Sequence, residues 1–210
     1  MLIRQTQEMF YKRAKAPKDL PWHRDTPDGF LPEVVEARGG GGEPGRALDL
    51  GCGTGVFSVW LAKKGYEVTA LDYIPRAIAM AKARAEAEGA QVSLVNADLL
   101  TWSAPGQFDV IVDSGCLHSL IGGDLRRYKE QLLRWLVPGG DYVLGHFGKR
   151  HALDWRPVGP TRRTHEQLVR LFAPELDVVK HQQSEMAAPL PIGPIVQGHA
   201  FWFRRTSGEA

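Results

Sequence analysis

A glycine-rich segment between an apolar strand and an apolar helix constrains this chain more than any other feature. Residues 47–55 read Ala-Leu-Asp-Leu-Gly-Cys-Gly-Thr-Gly, and glycines at alternate positions let the backbone turn tightly and approach a ligand closely. The apolar run 46–51 predicts a buried strand, and the apolar spacing of 56–65, which ends in glycine, predicts a helix. A strand, a glycine loop and a helix in this order are typical of α/β proteins.

The same alternation of strand and helix continues along the chain. The pattern predicts further strands at 67–72, 91–98, 108–114 and 141–147, and helices at 75–89 and 124–140. This spacing implies right-handed βαβ units and a mainly parallel sheet. The tail predicts a helix at 164–172 and strands near 176–183 and 200–205, which can pair as an antiparallel hairpin at the sheet edge. We therefore expect an α/β fold with a seven-stranded, mostly parallel sheet, a C-terminal antiparallel hairpin and helices on both faces.

The N-terminal part of the chain has a different character. A helical pattern covers 1–16, a proline-rich aromatic segment covers 17–32, and a short helix is predicted at 32–38 before four consecutive glycines at 39–42. We divide the chain into an N-terminal helical lid and linker, 1–42, and a main domain, 43–210.

Composition excludes several classes of protein. The 210 residues carry a net charge of +2 with no basic block, which argues against a nucleic-acid binder. Two cysteines exclude a disulfide scaffold and suit a reducing compartment. There is no apolar run long enough to span a membrane and no secretory signal, so we expect a cytoplasmic protein without a membrane partner. We also expect a monomer or a homodimer.

Two carboxylates indicate which ligand the glycine loop takes. Asp72 ends the second predicted strand, 19 residues beyond Gly53, where an acid can bind both hydroxyls of a ribose. The dinucleotide pattern G-x-G-x-x-G/A is broken by Val56, and Asp49 would repel a pyrophosphate. Asp49 suits a ligand with a sulfonium and an ammonium group. This favours S-adenosyl-L-methionine over NAD, and an NAD-dependent oxidoreductase stays as an alternative.

These residues resemble the motifs of a known family. L-D-L-G-C-G-T-G (48–55), L-D-Y (71–73) and N-A-D-L (96–99) resemble, in order, three motifs of the class I S-adenosylmethionine-dependent methyltransferases. The resemblance implies the Rossmann-like class I methyltransferase fold and a methyltransferase that uses S-adenosyl-L-methionine.

The resemblance also implies a role for each matched position. Gly51, Gly53 and Gly55 would surround the methionine part of the cofactor, with Asp49 near the ammonium group and Asp72 on the ribose. The expected adenine contacts are Tyr73, Ile74, Asp98 and the Leu99 backbone. Asp98 can alternatively cap its own turn, and Tyr73 can be an exposed turn aromatic.

A second, narrower resemblance concerns the substrate side. P-W-H-R-D-T-P-D-G-F-L-P-E-V-V-E (21–36) and D-S-G-C-L-H-S-L (113–120), followed by Arg-Tyr at 127–128, resemble segments of the thiopurine and tellurite-resistance methyltransferases. His23 stands where that group has aspartate. The resemblance implies a small-molecule substrate, an N-terminal lid, and cofactor contacts from Trp22 and Ser114.

The acceptor atom, S, N or O, is left open by the sequence. A hydroxyl acceptor needs a base, for which His118 and His23 are the candidates. Cys116 can be a methyl acceptor, a polar contact or a packing residue. We expect no metal site, because no paired metal-ligand spacing occurs.

We expect a lid with aromatic walls around a small aromatic or heteroaromatic substrate. The predicted walls are Phe10, Tyr11, Trp22, Phe30 and Trp155. Two insertions, 148–163 and 186–199, should lie on the same side, and Arg156 in the first can bind a substrate carboxylate or be solvated. A nucleic-acid methyltransferase is the second alternative, but no proline pair follows Asp113.

Overall fold

The computed structural model describes residues 2–39, 44–149, 154, 160–187 and 195–207. Seven strands occur in this part of the chain: β1 (Arg46–Leu50), β2 (Glu67–Asp72), β3 (Ser93–Asn96), β4 (Phe108–Asp113), β5 (Leu136–Gly148), β6 (Leu176–Ala187) and β7 (Ile195–Arg205). The α-helices of the same ranges are α1 (Leu2–Arg13), α2 (Leu31–Arg38), α3 (Val56–Lys63), α4 (Pro75–Ala87), α5 (Gly123–Trp135) and α6 (His165–Phe172). Short 3₁₀ helices lie at Pro17–Asp19 and Leu117–Ser119.

The strands form one mixed sheet in the order β3-β2-β1-β4-β5-β7-β6. Strands β1 to β5 pair in parallel, while β7 is antiparallel to both β5 and β6. Leu50 at the end of β1 pairs with Leu71 on one side and with Asp113 on the other. The carboxyl ends of β1, β2 and β4 therefore meet at the point where the strand order reverses, where α/β sheets bind ligands. The expected seven-stranded sheet with its C-terminal hairpin is confirmed.

Helices cover both faces of the sheet, as expected. One apolar layer packs α5 and α6 on the sheet through Tyr128, Trp135 and Phe172. The other packs α2 and α3 through Leu31, Val34, Phe57 and Leu61. A smaller cluster joins α1 to α4. Within the described ranges, no helix has the length and apolar character needed to cross a membrane.

The prediction of a helix over 124–140 is wrong at its carboxyl end. Helix α5 ends at Trp135, and Leu136 already has an extended backbone and pairs with Phe108 of β4. Val137 precedes Pro138, which disfavours the helical conformation at that position. The Pro-Gly-Gly triplet lies within β5. The last two strands are also longer than predicted, because they pair with each other over their whole length.

Some sequence expectations concern residues outside the described ranges. These are most of the glycine linker, Trp155, Arg156, and most of the insertion after Ala187.

Asp141 near the start of β5 ties three elements together. Its fully buried carboxylate accepts hydrogen bonds from Arg38 Nε of α2 (2.6 Å), Trp202 Nε1 of β7 (2.7 Å) and Arg204 Nε (2.9 Å). A buried carboxylate paired in this way stabilises its partners mainly because removing it leaves buried donors unsatisfied.

We expect Asp141→Ala to lower the free energy of unfolding by about 3–5 kcal/mol, the usual cost of breaking a buried ion pair. Urea denaturation measures the change. Asp177→Ala on edge strand β6 is the matched control, because that residue is exposed, and surface substitutions change stability by less than about 0.5 kcal/mol. Equal effects of the two substitutions would contradict this role of Asp141.

Candidate active site

The glycine loop follows β1 at the switch point of the sheet. Gly51, Gly53 and Gly55 have φ angles of +65°, +55° and +79°, which side-chain-bearing residues rarely adopt. Each glycine also faces a different neighbour. A Cβ on Gly51 would collide with Cys116 Sγ, one on Gly53 would lie 2.9 Å from the Tyr11 hydroxyl, and one on Gly55 would press on α4. The loop needs glycine both for its backbone and for these close approaches.

Asp72 connects this loop to the end of β2. One carboxylate oxygen accepts the Gly53 backbone N–H (3.0 Å), and the other accepts the Ile74 N–H (2.8 Å). The side chain is buried, and burial raises its pKa against the opposing effect of these hydrogen bonds. Each oxygen retains acceptor capacity for a ligand.

Asp49 lies on β1 directly behind the loop. Its buried carboxylate accepts a hydrogen bond from the Ser58 hydroxyl of α3. Burial raises the pKa of Asp49 to about 7, and the negative charges of Asp72 and Asp113 contribute in the same direction. Among the described residues, no lysine or arginine pairs with any of these three acids. The loop is therefore backed by a cluster of buried carboxylates for which the described part of the chain supplies no cation.

Asp113 at the end of β4 organises the loop that carries Ser114, Cys116 and His118. Its carboxylate accepts the backbone N–H groups of Gly115, Cys116 and Leu117 and the hydroxyl of Tyr128, at 2.5–3.0 Å. Asp113 is thus saturated with donors and shapes the site without having to touch a ligand. The sequence singled out Tyr128 only through a resemblance, with no role assigned, because the hydrogen bond spans two elements.

The expected adenine side of the site lies against α1. Asp98 caps its own turn through the Leu100 N–H (2.9 Å), and its other oxygen pairs with Arg4 of α1 (2.7 Å). The Arg4 guanidinium lies over the ring of Tyr73 (5.1 Å), and Ile74 is buried beside that ring against α1 and α4. Leu99 is partly buried against the main core. Arg4 was missed from the sequence, since nothing in its neighbourhood distinguishes it from other charges of α1.

His118 lies in the 3₁₀ helix after β4. Its ring contacts Phe147 (centroid distance 5.0 Å) and lies edge-on to His146 (6.2 Å). Burial, and then the nearby charge of Arg163, lowers the pKa of His118 to about 4. His118 is therefore neutral at physiological pH and is a weak base.

Residues of the N-terminal segment lie above the loop. Trp22 packs against Phe10 and Tyr11, at ring centroid distances of 5.4 and 5.8 Å. His23 bonds Asp25 through Nε2 (3.1 Å), and its buried Nδ1 has no hydrogen-bond partner within the described ranges. Ser114 accepts a long hydrogen bond from Arg24 (3.4 Å).

Phe30 does not join these aromatic residues. It packs with Leu31, Val34 and Trp202 in the apolar layer on the α2 face of the sheet. The prediction of Phe30 as a lid wall is therefore wrong. Its apolar side chain is buried because α2 follows directly and packs on the sheet.

The two cysteines are unpaired thiols. Burial raises the pKa of both Cys52 and Cys116 well above the ordinary thiol value, so neither is present as a thiolate at neutral pH. Cys116 fills the space over Gly51, which favours packing among the three roles considered. In the described part of the chain, no group of three or more histidine, cysteine or acidic residues is arranged to hold a metal ion.

We compared the sequence and the fold of this chain with those of known proteins. Residues 47–140 match the family described as "Methyltransferase domain". This match, over 94 of the 210 residues, supports the resemblance to the class I S-adenosylmethionine-dependent methyltransferases. The predicted fold is confirmed.

Individual relatives show how far the similarity extends. A 2-heptyl-1-hydroxyquinolin-4(1H)-one methyltransferase of Mycobacteroides abscessus is 32% identical over 151 residues, which is 68% of this chain and 65% of that protein. The chain thus spans slightly less than two thirds of the length of this relative.

Two solved structures are similar over nearly the whole chain. One comes from work on the conversion of a disulfide bond into a thioacetal group during echinomycin biosynthesis (TM-score 0.74, 26% identity, 100% of this chain and 94% of that one). The other is the N-methyltransferase NodS of Bradyrhizobium japonicum with S-adenosyl-L-homocysteine (TM-score 0.70, 24% identity, 96% and 97%), which supports the fold alone.

The glycine loop can be tested by comparing two glycines with similar backbone angles. Gly89 has a φ of +63° and open space around it, whereas Gly51 has +65° and faces Cys116. Both alanine substitutions should cost about 1–2 kcal/mol for the left-handed backbone. We expect Gly51→Ala to cost at least about 1 kcal/mol more, because the new Cβ displaces the Cys116 sulfur.

Urea denaturation measures both effects. The double variant Gly51→Ala/Cys116→Ala should recover most of the additional loss. If Gly51→Ala costs no more than Gly89→Ala, the close contact with Cys116 does not exist.

Proposed function

We propose that this protein transfers a methyl group from S-adenosyl-L-methionine to S, N or O of a small aromatic or heteroaromatic molecule. The main observation in support of this proposal is the cluster of buried carboxylates behind the glycine loop. Asp49 and Asp72 lack a cationic partner among the described residues. The pKa of Asp49 is raised because ionising its carboxyl group in this buried position is unfavourable. A ligand with positive charge at this position would remove that cost.

The residues present fit this cofactor. Gly51, Gly53 and Gly55 would surround its amino-acid part, with Asp49 near the ammonium group and Asp72 on the ribose hydroxyls. Tyr73, Ile74, Asp98 and the Leu99 backbone would contact the adenine, and Trp22 and Ser114 would make further contacts with the cofactor. The left-handed backbone of the three glycines, which shapes the loop, and the free acceptor capacity of Asp72 support this assignment.

The alternatives fit less well. The pyrophosphate of NAD would bring two negative charges to the carboxylate cluster, which costs free energy in a partly buried site. A nucleic-acid substrate would need a basic surface to contact phosphates, and the net charge is only +2. Both readings are therefore disfavoured.

Bound at this site, the cofactor supplies an electrophilic methyl group. The chain's own residues would align the acceptor in line with that group and exclude water, which is the main source of acceleration in such transfers. His118, neutral and weakly basic, would accept a hydrogen bond from an N–H or O–H acceptor and orient it. His23 is the second candidate for this role, since its buried Nδ1 has no partner within the described ranges.

The aromatic residues above the loop support an aromatic substrate. Phe10, Tyr11 and Trp22 form a packed group there, and aromatic walls bind flat rings well. The relative from Mycobacteroides abscessus is named for a hydroxyquinolinone. Residues 1–42 would act as the lid in this proposal, in a cytoplasmic monomer or homodimer.

A methyl-transfer screen tests the activity. The protein is incubated with S-adenosyl-L-methionine and panels of thiols, heteroaromatic amines and hydroxylated heteroaromatics, and methylated products are detected by mass spectrometry. We expect products in at least one of these panels and none with oligonucleotides. No product in any panel, or products only from oligonucleotides, would overturn the proposal.

Asp72→Ala should weaken binding of S-adenosyl-L-methionine about 10- to 100-fold, since hydrogen bonds to a charged group contribute about 1.5–3 kcal/mol. Isothermal titration calorimetry measures the dissociation constants. Asp177→Ala, which changes an exposed acid on β6, should leave the affinity unchanged. Undiminished binding by a folded Asp72→Ala protein would rule out the assigned role.

Cofactor binding should release protons near neutral pH. With a pKa of about 7, Asp49 is roughly half protonated at pH 7 in the free protein. A cationic ligand favours the carboxylate, so binding lowers the Asp49 pKa, releases about half a proton at pH 7, and becomes tighter as the pH rises from 6 to 8.

Calorimetry at pH 7 in buffers of different ionisation enthalpy counts the released protons. His118 does not interfere, because its pKa of about 4 keeps it neutral throughout this range. Asp49→Asn should abolish the proton release. An unchanged release in that variant would show that another group is responsible.

A further inference from the structure

Arg163 is a buried arginine that lies directly behind the loop carrying His118. Its guanidinium donates to the backbone carbonyls of Leu117 (3.3 Å) and Leu120 (2.6 Å) and to Nε2 of His146 (2.8 Å). The side chain is about nine-tenths buried. These acceptors belong to the 3₁₀ helix Leu117–Ser119, the residue after it, and strand β5.

The backbone beside Arg163 holds the same short helix. The Thr161 N–H donates to the His118 carbonyl (2.8 Å), and the Arg163 N–H donates to the Phe147 carbonyl of β5 (3.1 Å). The carbonyls of residues 117, 118 and 120 are thus all bound by one segment, 161–163. Buried carbonyls need such partners, and a one-turn 3₁₀ helix supplies few of its own.

The described residues include no acid that balances the charge of Arg163. In the parts of the chain that are described, no carboxylate lies within ion-pair distance of its guanidinium, and burial alone lowers its pKa. The positive charge therefore acts on the two histidines next to it, His118 and His146. Because Arg163 donates to His146 Nε2, the His146 ring is neutral and donates through Nδ1 to the Phe147 carbonyl.

We propose that Arg163 is a positioning residue for the acceptor side of the site: it holds the 3₁₀ helix of His118 against β5 and so places the His118 imidazole for the acceptor. This inference rests on the proposed function, because it takes His118 as a group that contacts the acceptor. Arg163 itself acts through His118 and does not touch the cofactor loop.

The fork geometry of arginine explains why this residue type is needed. Nη1 contacts both the Leu117 carbonyl and His146 Nε2, while Nη2 contacts the Leu120 carbonyl, so one planar guanidinium reaches all three acceptors from a fixed position. A lysine would keep the positive charge but reach fewer of them. A methionine would keep part of the volume but remove both charge and donors.

The test compares wild type with Arg163→Lys and Arg163→Met. The measurements are methyl-transfer kinetics, the dissociation constant of S-adenosyl-L-homocysteine, and the titration of His118 by NMR with ¹³C-labelled histidine, assigned with His118→Gln. Arg170→Met, at an exposed position of α6, is the matched control and should match wild type in all three.

Both Arg163 variants should lower kcat at least tenfold and leave the dissociation constant within about twofold, because the glycine loop keeps its own contacts. In Arg163→Met the His118 titration should move upward from about pH 4. In Arg163→Lys it should stay near the wild-type value, because the charge remains. Unchanged kcat in Arg163→Lys, or an unchanged His118 titration in Arg163→Met, would overturn the inference.

Folding and function are separated within this design. If Arg163→Met does not fold, Arg163→Lys tests the inference through its kinetics and through the hydrogen exchange of its Ser119 and Leu120 amides. We expect these amides to exchange faster than in wild type. Unchanged exchange would contradict the role of Arg163. If the wild-type protein methylates no acceptor, the proposed function is wrong. The His118 titrations would then still show whether Arg163 acts on His118.

Discussion

The hydrogen bond from the Gly53 backbone to the Asp72 carboxylate is the contact on which the site depends. It joins the loop after β1 to the end of β2, 19 residues further on, and it is possible only because parallel pairing places both strand ends at the same edge of the sheet. Asp72 also accepts the Ile74 N–H at the start of α4. One carboxylate thus sets the position of the glycine loop relative to the next strand and helix.

The same parallel pairing of strands also brings buried acids together. Three acids, Asp49, Asp72 and Asp113, come from three adjacent strands and are all buried. Asp113 is saturated by four donors of its own loop and α5, whereas Ser58 is the only side-chain partner of Asp49 within the described ranges. A cationic ligand would lower the cost of ionising Asp49 in this buried position, and this is the physical basis of the proposed preference for S-adenosyl-L-methionine.

The N-terminal segment links the two halves of the site. Helix α1 pairs with Asp98 through Arg4 on one side and reaches Ser119, next to His118, through Gln7 on the other (3.5 Å). The Tyr11 hydroxyl lies over Gly53 between them. Helix α1 therefore contacts three parts of the proposed site: Asp98, the glycine loop and Ser119.

Local properties of the sequence predicted three features. Periodicity predicted the order of strands and helices, glycine spacing predicted the glycine loop, and the position of a residue after a strand predicted the acids at the strand ends. Predictions failed where pairing overrode local signals: residues 136–140 joined β5 instead of closing α5, and Phe30 was buried in the core instead of lining the lid. Arg4, Tyr128 and Arg163 gained their contacts only from tertiary structure, since each bonds residues that lie 15 to 94 positions away. Sequence alone therefore determined the fold class and the glycine loop. Tertiary structure decided which carboxylates have no cationic partner among the described residues and which arginine binds the carbonyls of Leu117 and Leu120, because those contacts depend on distances between segments that no local pattern encodes.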